Sequence, residues 1–224
     1  MLFRSDVFAV ETATSQEMQE SIRLWSDLYL NRAPWLNQDV NSLNLPAAIA
    51  GEIARLATVE MRIIASGSPR ADYLTEQLEP TLRSIRQTVE YGVAKGGVVL
   101  KPYTDGGKIN VDIIQADAFF PLAFDGEGNL TDVVFIDRRR IGKDWYTRLE
   151  RHQPVTNGYQ IENRAYKAQS ETTLGTPVNL DAVQDWASLE PLATVENIDR
   201  PLFAYFRDWK STRLNSSHTN RSRM

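Results

Sequence analysis

The stretch VVLKPYTDGGKINVDII, residues 98–114, predicts a β-hairpin. Two runs rich in β-branched residues, 98–103 and 109–114, flank the turn sequence Thr104-Asp105-Gly106-Gly107. Asp-Gly favours the tight turns that join antiparallel strands, because glycine adopts a positive φ without steric cost. We therefore expect an antiparallel β element near the middle of the chain.

Three further strand-like runs follow the hairpin, at 132–139, 145–153 and 159–167. The connectors between them are short and contain glycine: Ile141-Gly142-Lys143 and Thr156-Asn157-Gly158. Strands joined this closely pair with their neighbours in the chain, so the pattern predicts an antiparallel meander. Beyond the meander we expect a short helix at 180–189, with Val183 and Trp186 facing inward, and one last strand at 201–206.

Before the hairpin the pattern is mainly helical. Residues 14–31 open with Thr14 and Glu17, which form a capping-box pattern, and continue as an amphipathic helix. Residues 45–58 predict a second helix. Its Leu and Ile residues stand among alanines that permit close packing, so this helix is expected to be buried.

The segment between the second helix and the hairpin carries two signals. Residues 59–63 alternate apolar and charged side chains, which predicts a strand. Residues 70–95 are helical in pattern, with Pro80 expected at a first helical position and Gly96-Gly97 ending the helix. The chain is therefore expected to be α+β, with N-terminal helices followed by a β-hairpin and an antiparallel meander, in one domain over residues 1–209.

Composition excludes several kinds of site. The chain has no cysteine, so disulfides, thiolate metal sites and cysteine nucleophiles are excluded. His152 and His218 are the two histidines, so a histidine-built zinc site or a Ser-His-Asp triad would have to be centred on one of them. No apolar run approaches the roughly 20 residues that cross a bilayer. We predict no catalytic residue, no cofactor, no metal and no membrane association.

Charge is distributed unevenly along the chain. Four of the 25 basic residues, Lys210, Arg213, Arg221 and Arg223, follow Trp209, whereas all 29 acidic residues precede it. Residues 1–209 therefore carry 21 basic and 29 acidic groups, a net charge of −8. Lys and Arg supply most non-specific affinity for nucleic acid, so an acidic body is a poor general DNA binder.

The run Asp137-Arg138-Arg139-Arg140 is the strongest local charge cluster. Arg138, Arg139 and Arg140 are candidates for contact with DNA or with an acidic neighbour. The alternative is a solvated strand end, which the acidic surroundings favour. Strand alternation points Arg138 and Arg140 to one side and Arg139 to the other.

Carboxylates on the meander are the second candidate. Asp132, Asp137 and Glu150 could supply an acid/base pair, although nothing in their spacing brings two of them within reach. Residues 125–129, DGEGN, resemble a calcium loop but lack its closing glutamate, so a turn is expected. Residues 94–97 follow a helix and precede a strand, the reverse of a phosphate-loop order. The five tryptophans are expected to be core or interface anchors.

Four ordered strings resemble the portal proteins of siphophages that infect Gram-positive bacteria. They are LPAAIAGEIARLATVEMRI at 45–63, YGVAKGGVVLKPYTDGGKINVDIIQADAFFPLAFD at 91–125, YTRLERHQ at 146–153 and RPLFAYFR at 200–207. The resemblance spans residues 15–207. It implies a portal wing-like α+β domain, with exposed apolar patches where neighbouring subunits dock. The stem, clip and crown of such portals would lie beyond this sequence.

The resemblance also implies a function and partners. Portal subunits form a dodecameric ring at one capsid vertex of the virion, through which double-stranded DNA is packaged and ejected, without an enzymatic step. The implied partners are further copies of the chain, the major capsid protein, the terminase motor, and head-completion or adaptor proteins. The alternative from a different class is an α+β enzyme or ligand-binding domain that uses the meander carboxylates. A third possibility is a stand-alone adaptor that binds only capsid protein.

Residues 210–218 read KSTRLNSSH, which matches the translation of a widely used short-read sequencing adapter. We therefore interpret residues 210–224 as a non-native, disordered tail fused to an N-terminal fragment of a portal protein. The alternative is a genuine basic, serine-rich disordered tail.

Overall fold

A computed structural model describes residues 5–37, 39–40 and 42–207, which form two compact units. Residues 5–16 and 118–202 form the meander unit, and residues 17–117 and 203–207 form the helical unit. The fold is α+β, as predicted. The predicted tail and the proposed domain end at residue 209 lie outside the described residues.

The helices are α1 (Ser5–Phe8), α2 (Gln16–Tyr29), α3 (Leu45–Thr58), α4 (Ala71–Arg83) and α5 (Ile85–Lys95). The strands are β1 (Gly97–Asp105), β2 (Lys108–Gln115), β3 (Phe119–Phe124), β4 (Leu130–Ile141), β5 (Asp144–Val155), β6 (Gly158–Ala168), β7 (Thr176–Val178), β8 (Leu192–Glu196) and β9 (Ala204–Arg207). Short 3₁₀ helices occur at Ala116–Ala118, Leu180–Ala182 and Gln184–Trp186.

The meander unit is built on an antiparallel sheet of strand order β3-β4-β5-β6-β7, and β8 also pairs with β6. The long strands β4, β5 and β6 confirm the predicted meander. Gly158 begins β6 with a φ of 145°, and a Cβ there would overlap the carbonyl oxygen of Val195 on β8. Only glycine permits this close approach of two strands.

Both faces of this sheet are covered. Phe8 of α1 packs on one face against Val134, Leu149, Tyr166 and Leu174. The predicted helix at 180–189 is replaced by two 3₁₀ turns that cover the other face. Their inward residues, Val183 and Trp186, are buried against Ala165, as the sequence predicted.

The helical unit contains a three-stranded sheet of order β2-β1-β9. The predicted hairpin is confirmed, with Gly106 and Gly107 both at positive φ in its turn. Gly96 ends α5 in the left-handed conformation, with a φ of 86°, and the chain enters β1 directly. The last strand, β9, is shorter than predicted and pairs with Gly97–Leu100 of β1.

Pro80 does not begin a helix, contrary to the prediction. It lies inside α4, and the break between α4 and α5 comes later, at Ser84. The half-buried stripe of Leu74, Leu78 and Leu82 continues across Pro80. Packing of this stripe keeps the helix continuous despite the hydrogen bond that proline removes.

Two predictions for residues 45–63 are wrong. Helix α3 buries Ala50 and Ala54, which pack towards α5, and exposes its Leu and Ile stripe. Small side chains let the two helix backbones approach closely, so the alanine face of α3 is buried in place of the Leu and Ile face. Residues 59–63 form no strand, because no neighbouring strand pairs with them and their apolar side chains are exposed.

Tyr29 gives the helical unit an expected alkaline sensitivity. Its hydroxyl donates to Glu90 Oε1 at 2.8 Å, and its ring meets Tyr91 edge-on at 5.9 Å. Burial, followed by the nearby Glu90 carboxylate, raises the pKa of Tyr29 above its ordinary value of 10.0. The contribution of Tyr29 to the free energy of unfolding is therefore complete below pH 10.0. It is lost as the pH rises above this value, because Tyr29 ionises first in the unfolded chain.

We expect Tyr29→Phe to flatten the fall in unfolding free energy above about pH 10. Urea denaturation at several alkaline pH values would measure the slope, with Tyr103→Phe as a control at an exposed tyrosine. Equal slopes in the two variants would contradict the role assigned to Tyr29.

Candidate functional site

Polar side chains gather on one face of the meander. Alternate residues of a strand share a face, so Arg148, Glu150 and His152 of β5 lie together. The strand registers place Asp137 of β4 opposite Arg148, and Asn163 of β6 opposite Glu150. We call these five residues the buried charge network.

Arg148 is the centre of the network. Its Nη1 lies 2.7 Å from Glu150 Oε2 and donates to Asn163 Oδ1 at 3.0 Å. Its Nη2 lies 3.8 Å from Asp137 Oδ2. One guanidinium therefore stands between two carboxylates and is shared by both.

His152 completes the network from the other side of Glu150. Its Nε2 lies 2.6 Å from Glu150 Oε1, so both oxygens of this carboxylate are engaged. The two residues are only 2% and 7% exposed. Phe135 packs edge-on against the imidazole at 5.2 Å, which shields the pair from solvent.

The chain segment after β7 closes over the network. The indole of Trp186 donates to Asp137 Oδ2 at 3.0 Å, and its ring lies 6.0 Å from the Arg148 guanidinium. The side-chain amide of Asn163 donates to the backbone carbonyl of Glu190 at 2.9 Å. The backbone amide of Asn163 donates to the backbone carbonyl of Pro191. These contacts fix the segment to the sheet and restrict access to the charges.

The structure separates the three carboxylates that the sequence suggested as acid/base candidates. Asp137 and Glu150 share a face, but Arg148 stands between them. Asp132 lies on the opposite face, where it forms a two-pronged pair with Arg151 at 2.7 and 3.1 Å. Sequence reasoning overlooked Arg148, although the alternating Arg-x-Glu-x-His pattern at 148–152 was the available signal.

The three arginines of the predicted contact cluster do not share one surface. Arg138 lies 3.5 Å from Glu171, and Arg139 lies 3.4 Å from Asp137 on the other face. Arg140 stacks over the ring of Trp145 at 5.8 Å. A contact of these residues with DNA or an acidic neighbour therefore remains a prediction.

The remaining sequence candidates are structural. Residues 125–129 form the predicted turn. In it the Asp125 carboxylate accepts hydrogen bonds from the backbone amides of Glu127 and Asn129. Hydrogen bonds from Asn129 lower the pKa of Asp125. Lys95, in the segment rejected as a phosphate loop, is buried and lies 2.8 Å from Asp117. Across the described ranges, no group of three or more acidic or histidine side chains could hold a metal ion.

A second surface stands out for its apolar character. Leu45, Ile49, Ile53 and Leu56, the α3 stripe, lie at helical spacing and are 44–60% exposed. A groove of about 340 Å³ follows the end of α3, between residues 61–64 and the side chains of Thr75, Glu79, Leu82 and Ile85. We call it the 61–64 groove. Within the described part of the chain, no helix is both long and apolar enough to span a membrane.

Of the tryptophans, only Trp186 is fully buried among the described residues, whereas Trp35 is exposed. Trp209 lies outside them.

The chain matches no protein-family model and no curated protein.

Proposed function

We propose that the chain corresponds to the wing-like domain of a tailed-bacteriophage portal, whose complete subunits form a ring at one capsid vertex for the passage of double-stranded DNA. The observation that carries this proposal is the α3 stripe. Four large aliphatic side chains along one helix face, each about half exposed, are typical of a surface that another protein covers. The role is one of assembly and position, with the capsid protein, terminase and head-completion proteins as the further partners.

The charge of the chain supports the same proposal. Residues 1–209 carry a net charge of −8, and the arginines of the 138–140 run lie close to acidic or aromatic side chains. A ring of acidic subunits repels phosphate, so duplex DNA can slide past it with few attractive contacts. The portal vertex of the virion is the proposed location.

The buried charge network fits a structural role better than a chemical one. An acid/base pair needs two carboxylates that can reach a common substrate. Here Arg148 separates Asp137 from Glu150, and the Trp186 indole hydrogen-bonds Asp137. The alternative, an α+β enzyme or ligand-binding domain that uses the meander carboxylates, therefore has less support.

Assembly is the direct test of the proposal. We expect the purified chain to self-associate as its concentration rises, measured by sedimentation velocity, because burial of the α3 stripe favours association. The variant Ile49→Lys/Ile53→Lys/Leu56→Lys should remain monomeric while keeping its helical circular dichroism, since these side chains are 44–60% exposed. A wild-type chain that stays monomeric at high protein concentration would contradict the proposal.

DNA binding provides an independent test. We expect less than about a twofold change in duplex mobility at physiological salt, because non-specific affinity requires several Lys or Arg contacts to phosphate. An electrophoretic mobility assay at two salt concentrations would measure this. Tight binding with a steep salt dependence would indicate a gripping function instead.

A further inference from the structure

The turn between β5 and β6 contains the one Asn-Gly dipeptide of the sequence, Asn157-Gly158. Thr156 and Asn157 form the turn itself, because Val155 of β5 pairs with Gly158 of β6. Asn157 is exposed to solvent. An asparagine before glycine is chemically reactive, since glycine has no Cβ to hinder attack of its backbone nitrogen on the preceding side-chain amide.

The fold requires glycine at position 158. Gly158 has a φ of 145°, a conformation that L side chains rarely adopt, and a Cβ there would overlap the carbonyl oxygen of Val195 on β8. Any residue that would slow the attack on Asn157 is therefore excluded by the pairing of β6 with β8. The sheet keeps the reactive dipeptide in place.

The side chain of Asn157 is held only weakly. Its Nδ2 donates to Asn197 Oδ1 at 3.3 Å, which is longer than the usual range of about 2.7–3.2 Å. Both side chains are exposed at this contact. The Asn157 amide can therefore rotate until its carbonyl carbon faces the nitrogen of Gly158.

We propose that Asn157 is a site of spontaneous deamidation whose product weakens the pairing of β8 with β6. The nitrogen of Gly158 forms a bond to Asn157 Cγ, and the Cγ–Nδ2 bond breaks. The proton of the Gly158 amide leaves with the departing ammonia, and a five-membered succinimide remains. The reaction is intramolecular, so it needs no catalyst to bring its two groups together.

Water then opens the succinimide. Hydrolysis at Cγ gives aspartate, whereas hydrolysis at the backbone carbonyl carbon gives isoaspartate. The overall change consumes one water and releases one ammonia, and no oxidant or reductant takes part. Both products carry a carboxylate where Asn157 had a neutral amide.

The new carboxylate lies close to an existing one. Gly158 pairs with Glu196 of β8, and like charges on neighbouring strands destabilise their pairing. The carbonyl of Asn157 also accepts the backbone amide of Asn197 at 3.0 Å. Isoaspartate inserts a methylene into the backbone at this point, so the turn loses the geometry that this hydrogen bond needs.

A weakened β8 affects the cover of the buried charge network. The two amides of Asn163 bind the carbonyls of Glu190 and Pro191, directly before β8 begins at Leu192. Release of β8 therefore loosens the segment that closes over Arg148 and Glu150. Deamidation at the turn thus changes the access of solvent to the centre of the meander unit.

Incubation of the full chain at physiological temperature, at neutral and mildly alkaline pH, tests the reaction. Mass spectrometry of tryptic peptides should show conversion of Asn157 to aspartate and isoaspartate, faster at the higher pH. Asn179 is the matched reference, because it is exposed but is followed by Leu180. We expect Asn157 to convert at least about tenfold faster than Asn179. Equal rates, or conversion of Asn157 in urea but not in the folded chain, would overturn the proposed site.

Hydrogen exchange tests the effect on β8. The amides of residues 192–196 should exchange at least about tenfold faster in the deamidated chain and in Asn157→Asp than in fresh wild type. Asn157→Gln is the control, because its longer side chain closes a less favourable six-membered ring and keeps the neutral amide. Asn157→Asp/Glu196→Gln should recover part of the protection if charge repulsion is responsible. Unchanged exchange of these amides after complete deamidation would overturn the effect on β8.

Discussion

Phe8→Ala is expected to destabilise the meander unit by about 3–5 kcal/mol, the usual cost of truncating a buried phenylalanine. Phe8 is 7% exposed and packs among Val134, Leu149 and Tyr166. The Arg164 guanidinium also lies 4.7 Å from its ring, a cation–π contact that alanine removes. A four-residue helix thus supplies one of the main apolar contacts of the sheet.

Hydrogen exchange of the β4–β6 amides would localise this loss to the meander unit, and urea denaturation would give its size. Phe124→Ala is the matched control, because Phe124 lies on the same sheet but is exposed. We expect the control to lose less than about 1 kcal/mol. Equal losses in the two variants would show that α1 is dispensable.

The substitution Arg148→Met is expected to cause the second large loss of stability. It leaves Asp137 and Glu150 without their shared cation, in a site where Glu150 is 7% exposed. Removing one partner from a buried ion pair costs about 3–5 kcal/mol, because an uncompensated charge stays behind. Lys167→Met breaks the exposed pair with Asp144 and should cost far less.

A double variant identifies the origin of that loss. If the uncompensated carboxylate is responsible, Arg148→Met/Glu150→Leu should recover part of the stability that Arg148→Met loses. Thermal and urea denaturation would compare the stability of the wild type, Arg148→Met, Lys167→Met and the double variant. A further loss in the double variant would instead mean that Glu150 and His152 stabilise the sheet without Arg148.

Local patterns predicted six of the nine strands in the described residues, namely β1, β2, β4, β5, β6 and, with shifted bounds, β9, whereas β3, β7 and β8 were not predicted. The hairpin at 98–114 depends on Asp105-Gly106-Gly107, whose conformational preference acts within a few residues. The connectors of the meander are so short that each strand pairs with the strand next to it in the chain. In both cases the decisive interaction is close in sequence, so a sequence reading can identify it.

Orientation and pairing over long distances were not predicted. Which face of α3 is buried depends on how closely α5 approaches, which the α3 sequence does not encode. Residues 59–63 have the alternation of a strand but no partner strand, and periodicity cannot reveal that absence. The network around Arg148 requires the register of three strands, so its residues could be suspected individually but not assembled.

The short strand β9 has a consequence for synthesis of the chain. Gly97–Leu100 of β1 emerges from the ribosome about a hundred residues before the segment that will pair with its free side. At translation rates of roughly 5–20 residues per second, that backbone edge stays open for about 5–20 s. Lys101 and Pro102 follow the open edge immediately, and a charge and a proline are both known to block pairing with a foreign strand. Both features therefore disfavour pairing of this edge with a foreign strand until β9 has been synthesised.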